Sequence, residues 1–159
     1  MKIQTMFALG MKREIPELLE SYGDEIELGP GHNPVGCPAL EFPEWDADYM
    51  AIPYPDESMD VIHMYHFLEH VEDPIKLLRE CERVLKVGGH INIVVPHKSS
   101  ALAWEDLDHK TFFNEETIPK LLITHGYDKN SSWELQVHAN FIMAIVERNL
   151  SIFTQLRKR

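Results

Sequence analysis

Three groups of residues in this chain have types and spacing suited to chemistry. The first is Ile26-Glu27-Leu28-Gly29-Pro30-Gly31, a short apolar run that carries an acid and ends in two glycines flanking one residue. Glycine lets a backbone turn sharply and lets a ligand approach the peptide closely. A phosphate cradle would not set Glu27 beside a polyanion, whereas a cationic ligand gains from it. Asn33 stands where a dinucleotide fingerprint needs its third glycine, and no G-K-[ST] follows. A plain tight turn remains the other reading. The second group, His66-Phe67-Leu68-Glu69-His70, has the H-x-x-E-H spacing of inverted zinc peptidases. On a helix its two histidines would share a face and could hold zinc. Such a hydrolase also needs a distal acidic ligand on another helix, and here the motif follows an apolar strand within two residues. It reads as a strand-to-helix turn packed by Phe67 and Leu68, and no metal is expected. The third group is Asp108-His109, where an imidazole can take a proton near neutral pH. The other histidines (His32, His63, His90, His97, His125 and His138) are dispersed and read as ordinary surface or core residues.

The elements that must position these groups follow from periodicity and punctuation. Residues 14–22 read as a short helix stopped by Gly23, and residues 25–28 as a strand feeding the glycine turn. From Gly29 to Pro55 the chain is rich in Pro, Gly and Asp and holds only short strands, one around Pro38–Phe42. MDVIHMY (59–65) reads as a strand. Asp73 caps a helix that Pro74 opens, and Ile75, Leu77, Leu78, Cys81, Val84 and Leu85 recur at helical spacing. Gly88-Gly89 is expected to end that helix after Lys86. HINIVVP (90–96) reads as a nearly continuous apolar, central strand. A helix around Glu115–Ile123 follows, then strands at 133–139 and 141–148, expected to pair antiparallel. The order implies one α/β domain over residues 1–159, its sheet mostly parallel with antiparallel edge strands.

The chain has 159 residues, 15 basic and 26 acidic, for a net charge of −11. That length suits a single core. The acidic balance repels phosphate backbones and disfavours a nucleic-acid partner. Arg157-Lys158-Arg159 reads as a solvated tail. No apolar run is long enough to span a membrane, and the first residues lack a signal-peptide pattern, so a cytoplasmic setting is expected. Cys37 and Cys81 are far apart, consistent with reduced thiols.

ELGPG, the P-x-P-D-x-S-x-D block at 53–60, H-x-L-E-H at 66–70, Asp73-Pro74, R-V-L-K-x-G-G at 83–89 and DLDHKTFF at 106–113 together resemble the class I S-adenosylmethionine-dependent methyltransferases, specifically the methyltransferase type 11 group. The similarity runs over about residues 25–127. It implies a Rossmann-like sheet with S-adenosylmethionine over the carboxyl ends of its first strands. Glu27 falls on the family's acid before the glycine turn, and Gly29 and Gly31 on the turn under the methionine part. Glu41 falls where the ribose-binding acid belongs, with Asp46 as its alternative. Asp48, five residues before Pro53, falls on the adenine-side acid, and Ile52 is expected to offer backbone to the adenine. Tyr65 and His66 should border the methyl end, and His66 and His109 are the catalytic candidates.

The chain departs from the family between the glycine turn and the P-x-P-D block, where the connection is shorter than in ordinary members. A helix after the first strand and part of the next unit are expected to be missing. The pocket is then shallow, or completed by a second copy of the chain. No [DN]-P-P-[FYW] follows the 59–65 strand, and Cys37-Pro38 reverses the Pro-Cys order of cytosine methylation, so a small-molecule acceptor is expected. A protein that binds the methyl donor without turnover is the alternative.

Overall fold

The structure, a computed structural model, describes residues 5–8, 11–14, 24–32, 34–124, 133–136 and 151–159. In chain order the elements are β1 (Thr5–Ala8), β2 (Met11–Glu14), β3 (Glu25–Leu28), β4 (Ala39–Leu40), β5 (Met59–Tyr65), a 3-10 turn (Leu68–His70), α1 (Pro74–Val84), β6 (Leu85–Pro96), α2 (Leu102–Glu105), α3 (Thr117–Thr124), β7 (Trp133–Gln136) and β8 (Ser151–Lys158). β1 and β2 form an antiparallel pair of their own. The other six strands form one sheet in the order β4-β3-β5-β6-β8-β7. β4, β3, β5 and β6 run parallel, and β8 is antiparallel to both its neighbours. The expected α/β sheet, mostly parallel with an antiparallel edge, is the one observed. Among the described residues no helix is long and apolar enough to cross a membrane.

The two faces of this sheet differ in chemistry because side chains alternate along each strand. On one face Ile26, Leu28, Ile62, Met64, Ile91, Ile93 and Leu156 form a buried core with Ile75, Leu78, Cys81 and Val84 of α1. On the other, the strand register places Glu27, His63, Asn92 and Gln155 side by side across β3, β5, β6 and β8. All four are buried. Strands covered by helices on both faces are near-continuously apolar, so HINIVVP is better described as alternating than as an apolar run.

α1 begins as its sequence dictates. Asp73 accepts from Ile75 N at 3.1 Å and Lys76 N at 3.0 Å, and Pro74 occupies the first position, where no donor is missed. Its end differs from expectation. The helix stops at Val84 and Leu85 is already extended, because Leu85 pairs with Met59 of β5. The register then shifts between Met59 and Val61, the latter pairing with His90, so residues 86–89 are taken up between the two pairs. Gly89 is required there by space: a Cβ would fall 2.9 Å from Asp60 O.

The basic C-terminus is also corrected. Arg157 and Lys158 belong to β8, not to a solvated tail: Lys158 Nζ donates to Leu85 O at 2.8 Å and Arg157 Nε to Gly88 O at 3.3 Å. The described partner of β7 is β8; the strand expected at 141–148 lies outside the described residues. So does the helix expected over 14–22, beyond Glu14.

The P-x-P-D block is pinned to α1 by Arg83 and Glu80. Arg83 Nη2 donates to Ile52 O at 2.8 Å and Nη1 to Tyr54 O at 2.9 Å, while ion pairs run to Glu80 at 2.9 Å and Asp56 at 2.8 Å. Glu80 Oε2 in turn accepts from Ile52 N at 3.1 Å. The guanidinium fork serves two carbonyls and two carboxylates at once, which an ammonium cannot reproduce. Arg83→Lys is expected to cost about 1–2 kcal/mol, read as a lowered urea midpoint with an unchanged slope.

Candidate functional site

The chain leaves β3 toward β4 on one side, while β5 lies on the other side of β3. Such a reversal opens a crevice beyond the carboxyl ends of the strands, and open α/β sheets bind ligands there. Both the glycine turn and Tyr65-His66 lie at this point, following β3 and closing β5.

The turn is held from three directions. Gly29 N donates to Leu40 O at 2.9 Å, tying it to β4. Gly31 N donates to Glu41 Oε1 at 3.1 Å, which closes the turn on the exposed Glu41 carboxylate. Phe67 lies against Gly29 so closely that a Cβ there would sit 2.1 Å from Cδ2, and Gly29 also has a φ of +64°. No other residue satisfies both conditions. Phe67 also packs against Trp45, with ring centroids 6.1 Å apart and planes tilted by 31°.

Glu27 is 1% exposed, and its Oε2 accepts from Val35 N at 2.8 Å. Burial raises its pKa, the Val35 hydrogen bond opposes that, and the neighbouring Glu41 charge raises it further. The site therefore holds a carboxylate that a cation would help to ionise. Cys37, close by, is no nucleophile at neutral pH: burial, then Glu27 and Glu25, push its thiol up to about 11.

Tyr65 faces the polar side of the sheet, its hydroxyl 2.8 Å from His63 Nδ1, with His63 Nε2 3.1 Å from Glu25 Oε2. Asn92 Oδ1 accepts from Gln155 Nε2 at 2.9 Å. Burial lowers the His63 pKa and Glu25 only partly restores it. This buried row was missed by reading the histidines one at a time. Its signal was the alternation of Glu25 and Glu27 in EIEL and of His90 and Asn92 in HINIV, with His63 and Tyr65 two apart in DVIHMY.

His66 adopts a φ of +55°, uncommon for a residue with a side chain and a mark of a position held by its surroundings. Its N donates to Val94 O at 2.7 Å, its Nδ1 lies 3.2 Å from Glu69 Oε1 and its Nε2 3.4 Å from Ser151 Oγ. His66 and His109, read separately in the sequence, line one cleft of about 600 Å³ together with Glu69, His70, Asp106 and Asp108. The expected turn at H-x-x-E-H is present as the 3-10 turn, with Leu68 fully buried.

Asp48 and Ile52 have protein partners of their own. Asp48 Oδ1 accepts from Glu72 N at 2.7 Å and Oδ2 pairs with Lys110 Nζ at 3.0 Å, so each oxygen already takes a donor. The N and O of Ile52 are both taken up by Glu80 and Arg83. Asp46 Oδ1 accepts from Asp48 N at 2.9 Å within its own loop, leaving Glu41 as the acid at the glycine turn.

A family model described as a methyltransferase domain matches residues 34–93. A probable S-adenosylmethionine-dependent methyltransferase of Mycobacterium tuberculosis is 29% identical over 85 residues, covering 51% of this chain and 31% of that protein. A ubiquinone biosynthesis O-methyltransferase of Aliivibrio fischeri is 38% identical over 52 residues, covering 33% of this chain and 22% of that one. The chain thus spans about a third or less of the length of these curated relatives. Among solved structures, an S-adenosylmethionine-dependent methyltransferase from Mesorhizobium loti aligns with a TM-score of 0.60 at 15% identity, over 84% of this chain and 90% of that chain. A methyltransferase from Thermotoga maritima, described as a possible histamine N-methyltransferase, aligns with a TM-score of 0.60 at 19% identity, over 89% and 84%. These solved structures share the fold. The family match falls on the segment that builds the P-x-P-D loop, β5, α1 and most of β6, and over that segment the chain is similar to S-adenosylmethionine-dependent methyltransferases.

Proposed function

We propose that this chain binds S-adenosylmethionine across the carboxyl ends of β3 and β5 and transfers its methyl group to a small molecule. The observation that carries this reading is the pair Glu27 and Glu41 flanking a left-handed glycine turn at the sheet's reversal point. A cationic ligand with vicinal hydroxyls fits that set, since a carboxylate accepts from two hydroxyls at once. Bound there, the ligand supplies a methyl group already activated on a sulfonium.

The chain's own part is placement. Glu27 provides negative charge beneath the cation, and Gly29 and Gly31 leave bare peptide beside it. Glu41 receives the ribose hydroxyls. Tyr65 and His66 border the methyl end through the exit of β5. Asp48 and Ile52, with their polar groups engaged by Lys110, Glu72, Glu80 and Arg83, hold the adenine-side loop in shape. His66 and His109 face the acceptor cleft and can orient an acceptor or take its proton. Alignment of nucleophile, methyl and sulfur supplies most of the rate in such a displacement. A hydroxyl-bearing small molecule is the first acceptor class to test, since ubiquinone biosynthesis O-methyltransferases are among the relatives. The net charge of −11 argues against a nucleic acid.

Binding without turnover is the second reading, favoured by the openness of the site: Glu41 is exposed, as are Trp104 and Leu107 beside the acceptor cleft. Calorimetric titration with S-adenosylmethionine and S-adenosylhomocysteine, then incubation of labelled donor with small hydroxyl and amine acceptors, separates the two. Binding of both nucleosides with label transfer is expected. Binding without transfer to any acceptor would leave a carrier, and no binding would end both readings.

Glu27→Gln gives a test with opposite signs in its two readouts. Because the folded-state pKa of Glu27 is raised, its ionised form penalises the native state. That penalty vanishes below the unfolded-state pKa and is complete above the folded one. Free of ligand, Glu27→Gln is expected to melt higher than the parent at pH 8, the gap closing as pH falls through the carboxylate range. Its affinity for S-adenosylmethionine at pH 8 should drop by about tenfold or more, roughly 1.4 kcal/mol. A variant that loses both stability and affinity would show that Glu27 serves the fold alone.

A further inference from the structure

The H-x-x-E-H segment carries one more feature that methyl transfer does not use. Glu69 is 0% exposed, yet neither of its carboxylate oxygens accepts a hydrogen bond. His66 Nδ1 lies 3.2 Å from Oε1 without hydrogen-bonding geometry. A buried carboxylate left this way is costly, and native structures rarely keep one without an ion or a donor. One ligand atom each from Glu69, His70 and His109 lies within 4.8 Å of the other two.

We propose that Glu69, His70 and His109 form a binding site for a divalent transition-metal ion of the zinc type. Two imidazoles and one carboxylate are a zinc donor set, and three protein ligands leave a coordination position for water or substrate. The ligand pair differs from the one the spacing suggested, because the 3-10 turn does not present His66 and His70 as a helix would; His109 arrives instead from the loop after α2.

The site is built in advance. Lys110 N and Thr111 N donate to Glu69 O at 2.7 and 3.2 Å, fastening the 106–111 loop to the 3-10 turn by main chain alone. His109 Nδ1 lies 3.0 Å from Ala103 O, so the proton sits on Nδ1 and Nε2 presents its lone pair. That backbone-fixed tautomer is what metal-ligating histidines use. The rings of His70 and His109 meet edge to face, 4.7 Å apart. The cleft they line includes Glu105, Asp106 and Asp108 and, among the described residues, no lysine or arginine, a field that concentrates cations. His66 then stands behind the carboxylate as its outer partner. The site shares His109 with the proposed acceptor cleft, and zinc titration reads it without any methyl transfer.

The test uses the tag-free full chain, stripped with chelator and titrated with Zn²⁺ alone by calorimetry, with bound metal counted by mass spectrometry. One equivalent at micromolar or tighter affinity and a raised melting temperature are expected. Mg²⁺ should compete poorly, because imidazole donors select zinc over magnesium. Glu69→Gln and His109→Ala should each weaken zinc binding by 10- to 100-fold. His109 lies on a partly exposed loop, so its variant stays readable if Glu69→Gln fails to fold. Glu25, Cys37 and His63 form the other compact donor group among the described residues, so Cys37→Ser is the control. No zinc uptake, equal competition by Mg²⁺, or loss of zinc in Cys37→Ser with full binding in His109→Ala would each overturn the proposal.

Discussion

Contact between Gly29 and Phe67 across the reversal point is the constraint on which the remaining geometry depends. It sets the exit of β5 directly on the turn after β3, with no space for a side chain between them. Fixing that distance fixes where Tyr65 and His66 emerge relative to Glu27. It also sets the direction in which the chain enters the 3-10 turn, and so where Glu69 is buried. The left-handed backbone of His66 is the local cost: the chain must bend between a strand pinned by Val94 O and a phenyl ring pinned by Gly29. Tertiary contacts that hold a residue in a sparsely populated conformation are common at sites where geometry matters more than local stability.

The two-faced sheet follows from the short connection after β3. In a doubly wound fold a helix after the first strand covers one face, and covered faces are apolar. Here the chain passes from Leu28 to β4 in a few turns, and the corresponding face carries the hydrogen-bonded sets Glu25–His63–Tyr65 and Asn92–Gln155, with Glu27 accepting from Val35 N. A buried polar row is tolerable only when its members satisfy each other. Glu25–His63–Tyr65 and Asn92–Gln155 do this by reaching along and across strands. The register of the sheet is thereby fixed on both faces, by packing on one and by hydrogen-bond matching on the other.

What the sequence showed depended on how local the signal was. Asp73-Pro74 and the helical spacing behind it predict the start of α1 to the residue, because capping is decided within one turn. The end of α1 was misjudged because Leu85 answers to Met59, 26 positions away, and sheet pairing outweighed the Gly88-Gly89 stop signal. Arg157 and Lys158 looked solvated for the same reason: their acceptors, Gly88 O and Leu85 O, are carbonyls on the neighbouring strand. The glycine turn and its two acids were legible as types at a spacing. The engagement of Asp48 by Lys110, and of Ile52 by Glu80 and Arg83, was not, since each pairs residues from distant segments. The meeting of His66 with His109 in one cleft belongs to the same class.

Charge connects the two centres. Glu27 and Glu41 gather at the glycine turn, while Glu69, Glu105, Asp106 and Asp108 line the cleft with His66, whose ring lies beside Glu69. If the proposed sulfonium and the proposed metal ion bind as argued, two acidic groups would give each cation its own counter-charge. The overall charge of −11 has the same sense: it favours the approach of cations to either side while repelling polyanions. Two basic residues serve the frame instead: Arg83 holds the P-x-P-D loop and Lys110 pairs with Asp48.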